Sequence, residues 1–314
     1  MKTALLMSEF LSTPWALMPE RLSAMATVMR SWSAGRHPSE ETMQAIQADR
    51  AVRDARRQAN SGMSSGGIAV LPLYGVVTQR GNMVEDVSGP GSVSTQQFAS
   101  SLRQALADDT VSQILIDIDS PGGSVYGVAE LADEIISARS RKPVVAVANS
   151  LAASAAYWIG CAASELYVTP GGEVGSIGVW QAHFDYSQAL AAEGVAPTLI
   201  SAGKYKVEGN PYAPLDAEAQ GFMQSRVDDY YAAFTEGVAR GRGVPIAQVR
   251  DGMGQGRVLG ADAAMAQSMV DGVATFDDVV RKMRRDAKGT GKPTANRLAQ
   301  AQRALATVGA TLLK

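Results

Sequence analysis

The sequence predicts an α/β fold in which helices flank a parallel sheet. Strand-like apolar runs alternate with helical patterns along most of the 314 residues, as in sheets built from crossover units. One of these runs, Leu115–Asp119, leads into the turn Pro121–Gly123, and a helical pattern follows at once. Hydrophobic residues make up 46% of the chain and charged residues 19%, so a large core can form around such a sheet.

The N-terminal part is predicted to be a helical extension followed by a linker, over residues 1–65. Pro14 suits a first helical turn, and apolar residues recur at three- and four-residue intervals over 8–32. We expect this helix to dock on its own domain or on a neighbouring subunit. The polar segment that follows ends in a Ser/Gly-rich stretch at 61–67, which is typical of a flexible linker.

The compact domain is predicted to cover residues 66–285. Strands are expected at 68–77, 112–119, 143–149, 165–169 and 198–202. Helices are expected at 95–107, 124–140, 152–163, 185–194, 215–240, 246–251, 260–268 and 276–285. A basic tail at 286–314 completes the chain. It is interpreted as a partly flexible extension, with a coiled interaction helix as the alternative.

Composition excludes several classes of protein. The net charge of −2 argues against nucleic acid as the main partner. The single cysteine, Cys161, lies in an apolar run and is predicted to be a core residue, and only two histidines, His37 and His183, are present for a zinc centre. We therefore expect no metal and no cofactor. No segment reaches the length of about 18 apolar residues that a membrane span needs, so a cytoplasmic location is expected.

Ser154 is the candidate nucleophile. It lies where the strand at 143–149 gives way to a helix, among alanines that would let a peptide backbone approach. The glycine turn offers backbone N–H groups with no Cβ to block a developing oxyanion. The alternative is a structural serine in a tightly packed helix, bonded back to a carbonyl. The presence of both segments in one chain favours catalysis.

The residues alone leave the general base open. His183 with Asp185 could complete a Ser–His–Asp triad, although such a histidine is more often a structural hydrogen bonder. Lys204 and Lys206 flank Tyr205 in a later segment. A lysine acts as a base only where its surroundings favour the uncharged amine.

Six motifs follow one another in an order far more specific than any one of them. They are Asp119–Gly123, Ala152–Tyr157, Gly175–Val179, Ser201–Lys206, Gly256–Gly260 and Met269–Val273. Over about residues 66–285 the chain resembles the signal peptide peptidase A family of serine proteases, family S49. The resemblance implies the Clp protease/crotonase-like fold, whose members assemble into homo-oligomeric rings.

The same resemblance implies a Ser–Lys dyad, with Ser154 as nucleophile and Lys206 as general base. Lys206 is preferred because the family's base follows an aromatic or histidine residue, here Tyr205. Ser176 matches a hydroxyl that orients the lysine. In the one-domain members the dyad can be completed across a subunit boundary.

The resemblance also implies the surroundings of the dyad. The oxyanion hole would be formed by amides of Gly122, Gly123 and Ala155. The implied substrate-binding residues are Ser120, Ser124, Tyr157 and Gly178. Ala155 and Ala156 stand where glycines are usual, which is expected to narrow the substrate groove.

The N-terminal stretch Phe10–Leu17 and the expected lack of a membrane anchor resemble the family's soluble branch in tailed phages and prophages. That branch implies head maturation by cutting capsid, scaffold or portal proteins, in the host cytoplasm or within the procapsid. Self-cleavage is expected to trim the ends near 61–67 and 288–293.

Three alternatives stay open. A peptidase of the same family could instead act on signal peptides or membrane-protein fragments. A crotonase-type acyl-CoA enzyme would use the glycine amides for a thioester enolate, but no carboxylate partner is identified for it. A non-catalytic oligomeric scaffold would carry a vestigial dyad.

Overall fold

The computed structural model describes residues 13–21, 67–80 and 91–288, together with the single positions 27, 31, 35, 39, 40 and 44. Most of the predicted helix at 8–32, nearly all of the linker at 61–67 and the tail beyond residue 288 lie outside the described residues. The predicted three-part division of the chain therefore stays a prediction.

The described strands and helices alternate as the sequence indicates. The strands are β1 (Trp15–Leu17), β2 (Ile68–Tyr74), β3 (Val76–Thr78), β4 (Ser92–Ser94), β5 (Gln113–Ser120), β6 (Gly122–Ser124), β7 (Val144–Ala153), β8 (Glu165–Val168), β9 (Glu173–Gly175), β10 (Val258–Gly260) and β11 (Gly272–Val273). The helices are α1 (Thr95–Ala107), α2 (Val128–Ala138), α3 (Ala155–Cys161), α4 (Ser187–Ala192), α5 (Ala217–Arg242), α6 (Ile246–Asp251), α7 (Ala261–Ala266) and α8 (Phe276–Lys288).

The main sheet has seven strands, and most of its pairs are parallel. β5 lies between β2 and β7, and β7 pairs with β8 through its first half and with β9 through its second half. β11 continues the sheet beside β8, and β10 closes the other edge antiparallel to β9. The fold is thus α/β with a parallel-rich sheet, as predicted.

Both faces of this sheet are covered, which explains the nearly continuous apolar runs of its strands. On one face, α1, α2 and α3 bury residues such as Leu102, Ile135 and Ile159 in the larger cluster of the core. On the other face, Val279 and Met283 of α8 pack against Leu115 of β5 and its neighbours.

A second, four-stranded sheet lies beside the first, in the order β1-β6-β3-β4. β6 is the glycine turn itself, paired in parallel with β3 at Val77↔Gly123. β1 runs antiparallel to β6, with Trp15 opposite Ser124 and Leu17 opposite Gly122. The glycine turn is therefore a short strand with neighbours on both edges.

Two stretches of the predicted elements are wrong where the structure describes them. Residues 15–17 form strand β1 instead of helix, because Trp15 and Leu17 are buried against partners far along the chain. The strand expected at 198–202 is irregular and unpaired, and Ile200 is 96% exposed. Helix α2 also begins four residues later than predicted, because Gly122–Ser124 is taken up by β6.

Candidate active site

Ser154 lies between the last residue of β7 and the first residue of α3. Its backbone has φ 56° and ψ −121°, a region that residues with a side chain rarely adopt. Two hydrogen bonds hold it there. The Ser154 amide donates to the carbonyl of Gly175 at 2.6 Å, and the amide of Trp158 donates to the Ser154 carbonyl at 3.0 Å. Strain at this point is therefore fixed by both the sheet and the helix.

The hydroxyl of Ser154 is buried without a partner. The residue is 1% exposed, and its Oγ has no hydrogen bond to any described residue. Leaving such a hydroxyl unsatisfied costs about 1–3 kcal/mol, and unpaired buried groups of this kind call for an explanation. This environment is compatible with the predicted role of Ser154 as a nucleophile.

The glycine turn packs directly against this serine. Gly122 has φ +97°, and a Cβ built on it would lie 2.8 Å from Ser154 Cβ. The same Cβ would lie 2.3 Å from the carbonyl oxygen of Ala16. Gly123 approaches the backbone of Val77 even more closely. Only glycine fits at these two positions. Of the predicted oxyanion donors, Gly122 thus packs against Ser154, and Ala155, the first residue of α3, follows Ser154 directly in the chain.

Ser120 and Ser124 have structural contacts in this turn. Ser120 is fully buried, and its hydroxyl donates to the carbonyl of Gly75 at 2.6 Å. Its oxygen also accepts from the amide of Gly122 at 3.3 Å. The Ser124 hydroxyl oxygen accepts from the amide of Tyr126. These bonds shape the turn that was predicted to bind substrate.

Ser176, like Ser154, has a positive φ, here 54°. Its amide donates to the carbonyl of Arg257 at 2.8 Å, which fixes it beside the β9–β10 edge. Gly178 lies two residues further on and is half-buried, and a Cβ built on it would lie 3.9 Å from Gly256 Cα. Ser176 is thus adjacent in sequence to Gly175, the acceptor for the amide of Ser154.

Tyr157 has no free hydroxyl to offer a substrate. It is fully buried, and its OH donates to the carbonyl of Met269 at 3.0 Å. In this structure Tyr157 anchors α3 to the segment before β11. The neighbouring Cys161 is buried as predicted, and burial raises the pKa of its thiol to about 12.

The two candidate lysines lie on the irregular segment before α5. Lys204 Nζ donates to Tyr205 OH at 2.7 Å and to Glu218 Oε1 at 2.8 Å, and the Glu218 hydrogen bond raises the pKa of Lys204. Lys206 is exposed, and its amide donates to the carbonyl of Gly203. Because Ser154 Oγ has no partner among the described residues, neither lysine is hydrogen-bonded to it within one chain.

The alternative Ser–His–Asp triad is not assembled either. His183 Nε2 lies 3.0 Å from the carbonyl oxygen of Asn210, an acceptor that fixes the imidazole in the loop before α4. Asp185 accepts from the amide of Ser187 at 2.8 Å, and hydrogen bonding to Ser187 lowers the pKa of this carboxyl group. Ser154, His183 and Asp185 therefore do not form a hydrogen-bonded triad in the described chain.

Sequence reasoning missed a buried carboxyl group on the same sheet. Asp117 of β5 is buried, the hydroxyl of Tyr74 donates to its Oδ2, and burial raises its pKa. With Asn149 and Arg281 it lines a cavity of about 470 Å³ beneath α8. An aspartate inside an aliphatic strand was the available signal.

Two kinds of feature are absent from the described residues. No group of three or more His, Cys, Asp or Glu side chains is placed to hold a metal ion in this part of the chain. None of the helices described combines the length and apolar character required to cross a bilayer.

A serine on a strained strand-to-helix turn, packed against a glycine turn, is an arrangement that serine hydrolases use for acyl transfer. The comparisons with known proteins agree with this class. Residues 136–290 match the profile of peptidase family S49. The chain belongs to that family, as the six motifs predicted.

The chain is also similar to individual proteins, two from phages and one from a bacterium. The chain is 36% identical over 231 residues to capsid assembly protease C of Escherichia phage lambda, covering 74% of this chain and 52% of that protein. It is 38% identical over 200 residues to head-tail preconnector protein GP5 of Enterobacteria phage P21, covering 64% and 40%. Protease 4 of Salmonella typhi is 31% identical over 214 residues, covering 68% and 34%. The matched part spans about half or less of each of these three relatives.

Proposed function

We propose that this protein is a serine endopeptidase that cleaves peptide bonds through an acyl-enzyme on Ser154. The observation that carries the proposal is the buried, unpaired Oγ of Ser154, held at φ 56° against Gly122. Membership of peptidase family S49 supports the same reaction. Strain and an unsatisfied hydroxyl both cost stability, so a function is the reason to keep them.

In the proposed reaction, Ser154 Oγ attacks the substrate carbonyl while its proton passes to the uncharged amine of Lys206. Amides of Gly122 or Gly123 and of Ala155 stabilise the oxyanion of the tetrahedral intermediate. The intermediate collapses, the peptide bond breaks, and Lys206 returns the proton to the leaving amine. Water then attacks the acyl ester and gives a proton to Lys206, the ester bond breaks to release the carboxylic acid, and Lys206 passes that proton to Ser154 Oγ.

Lys206 is proposed to reach Ser154 in an assembly of several copies. The segment that carries it is unpaired in the single chain and exposes large apolar side chains, including Leu199, Ile200 and Tyr205. Exposed apolar residues on an irregular segment are typical of a surface that another chain covers. A neighbouring copy that covers this segment would order Lys206 and complete the dyad.

The substrates are proposed to be proteins of a phage head, such as capsid, scaffold or portal proteins, cut in the host cytoplasm or within the procapsid. The support is similarity to a capsid assembly protease and a head-tail preconnector protein. An extended peptide would lie along a strand edge near Ser154.

The decisive experiment mixes two inactive variants. Ser154→Ala and Lys206→Ala are purified separately, then unfolded and refolded together, and cleavage of candidate head proteins is followed by gel and mass spectrometry. Each variant alone is expected to be inactive. If neighbouring copies share the dyad, the mixture recovers up to about a quarter of the activity, because only sites that pair an intact Ser154 with an intact Lys206 work.

Lys204→Ala is the matched control, because Lys204 is two residues away and equally exposed. On its own, Lys204→Ala is expected to cleave as fast as wild type. When it is refolded together with Ser154→Ala, the mixture should show no more activity than the Lys204→Ala chains alone provide. Undiminished cleavage by Ser154→Ala would show that the proposed nucleophile is wrong.

A further inference from the structure

The edge of β6 that faces Ser154 is already filled by the chain's own N-terminal segment. β6 has two edges, and β3 occupies one of them. β1 occupies the other, antiparallel, over the three pairs from Trp15↔Ser124 to Leu17↔Gly122. Addition to a free strand edge is one of the recurring ways in which proteins bind an extended peptide. β1 therefore lies where such a peptide would pair.

β1 is held on its other side as well. The amide of Trp15 donates to the carbonyl of Trp180 at 2.8 Å, and the amide of Trp180 donates back at 3.0 Å. Trp180 Nε1 also donates to the carbonyl of Leu17 at 2.9 Å. The segment is thus clamped between β6 and residue 180, which together form a slot with backbone donors and acceptors on both walls.

The position of β1 next to the nucleophile follows from Gly122. A Cβ built on Gly122 would lie 2.3 Å from Ala16 O and 2.8 Å from Ser154 Cβ. The β1 backbone and Ser154 therefore both pack against this glycine. Trp15, Ala16 and Leu17 are all at most 3% exposed, and Ser154 is 1% exposed. A substrate carbonyl cannot reach Ser154 Oγ while this arrangement persists.

We propose that β1 is an internal occupant of the peptide-binding edge of β6, and that it blocks access to Ser154 until it is displaced. This inference rests on the proposed function, since a blocked slot matters only if peptides are meant to enter it. The ligand class that displaces β1 is an extended peptide segment able to pair antiparallel with Gly122–Ser124. The binding slot is consequently defined by β6 on one wall and by Trp180 on the other.

The test loosens β1 and measures peptide binding without turnover. Trp15→Gly/Leu17→Gly is made in the full chain together with Ser154→Ala. The probe is a dye-labelled peptide with the sequence of residues 13–18, followed by fluorescence polarisation. The loosened chain is expected to bind this peptide at least about tenfold more tightly than the Ser154→Ala chain with an intact β1.

Two controls separate displacement from general damage. Leu106→Ala removes buried apolar volume in α1, away from β1 and β6, and is expected to bind the peptide no better than the intact chain. A peptide methylated on the alanine amide loses one backbone donor and is expected to bind the loosened chain more weakly. Equal peptide binding by the intact and the loosened chains would overturn the proposal.

Hydrogen exchange on the Ser154→Ala chain provides a second measurement that does not depend on the double variant folding. The amide of Trp15 is expected to be protected in the chain alone and to lose protection at saturating peptide. The amide of Trp180 is expected to stay protected, because the bound peptide replaces β1 as its acceptor. A Trp15 amide that keeps its protection while peptide is bound would overturn the proposal. Neither measurement needs hydrolysis, so the two proposals can fail separately. If β1 is displaced by peptide but the wild-type chain cleaves nothing, only the proposed peptidase activity is refuted. If the wild-type chain cleaves but β1 stays in place when peptide binds, only the proposed role of β1 is refuted.

Discussion

The amide of Ser154 donates a 2.6 Å hydrogen bond to the carbonyl of Gly175. This bond continues the β7–β9 ladder, in which Ala153 is paired with Gly175. The next residue after Gly175 is Ser176, which has a positive φ of its own and donates its amide to Arg257. The two serines with positive φ are therefore fixed by one edge of the sheet, and the proposed nucleophile depends on β9 and β10 for its position.

Gly122→Ala is expected to abolish or strongly reduce acylation of Ser154. The added Cβ would meet Ser154 Cβ at 2.8 Å and Ala16 O at 2.3 Å, and φ +97° disfavours any residue with a side chain. A displaced oxyanion donor costs about 10²–10³-fold in rate. Labelling by a fluorophosphonate probe measures this loss. Gly171→Ala, whose Cβ would meet nothing within 4 Å, is the control and should label like wild type.

Lys206→Ala is expected to lose cleavage by at least about 10²-fold, as removal of a general base does. Lys204→Ala and His183→Ala should retain it. Lys204 is held protonated by Glu218, and His183 is bonded to the carbonyl of Asn210. Initial rates on one peptide substrate, measured for all three variants, check this. An inactive His183→Ala with an active Lys206→Ala would assign the base to the histidine instead.

Much of the fold and part of the site could be predicted from local sequence. The aliphatic run of β5 and the helical periodicity of α1 gave correct elements, because burial on both faces of a parallel sheet leaves a strong pattern. Ser154 and Gly122 could also be paired in advance, since a small-residue turn after a strand has few other uses.

The rest depends on contacts that are distant in sequence. The pattern around Trp15–Leu17 favoured a helix, yet its partners at β6 and Trp180 are more than 100 residues away and impose a strand. At 198–202 the reverse holds, because the β-like sequence has no partner in the described chain. The base for Ser154 left no such local signal, because its Oγ has no partner among the described residues of one chain.

Asp271→Asn is expected to destabilise the fold by about 3–5 kcal/mol, the cost of leaving a buried charge without its partner. Arg242 Nη1 lies 2.7 Å from Asp271 Oδ2, with side chains only 4% and 12% exposed. The same carboxylate accepts from the amide of Leu166 at 2.8 Å and so ties α5 to β8. Urea unfolding measures the loss. Asp133→Asn breaks the exposed pair with Arg240 and should cost less than about 1 kcal/mol.

Two glycines of α5 are expected to respond in opposite directions to alanine. At Gly241 a Cβ would lie 2.4 Å from the carbonyl oxygen of Cys161, so Gly241→Ala should push α5 away from α3 and cost about 1–3 kcal/mol. At Gly221 a Cβ would meet nothing within 4 Å, and Gly221→Ala should stabilise the helix by about 0.5–1 kcal/mol. Thermal melting of both variants checks the signs, and a destabilised Gly221→Ala would contradict the packing described for α5.

The stability of the Asp117→Asn variant, compared with that of wild type, is expected to increase as the pH rises. Burial raises the pKa of Asp117 in the folded chain, so the folded state holds this proton more tightly than the unfolded state does. The resulting stability is complete below the unfolded value of 3.8 and is lost as the pH rises through the folded pKa. Asparagine does not ionise, and its amide oxygen can still accept from Tyr74.

Asp108→Asn provides the opposite sign on the same protein. Hydrogen bonds from Thr110 lower the pKa of Asp108, so its contribution is present above the unfolded value and is lost as the pH falls through the folded pKa. Urea midpoints at about pH 4 and about pH 8 measure both variants against wild type. From the lower to the higher pH, the urea midpoint of the variant minus that of wild type should increase for Asp117→Asn and decrease for Asp108→Asn. A pH-independent difference for Asp117→Asn would mean that its carboxyl group ionises as freely in the folded chain as in the unfolded one.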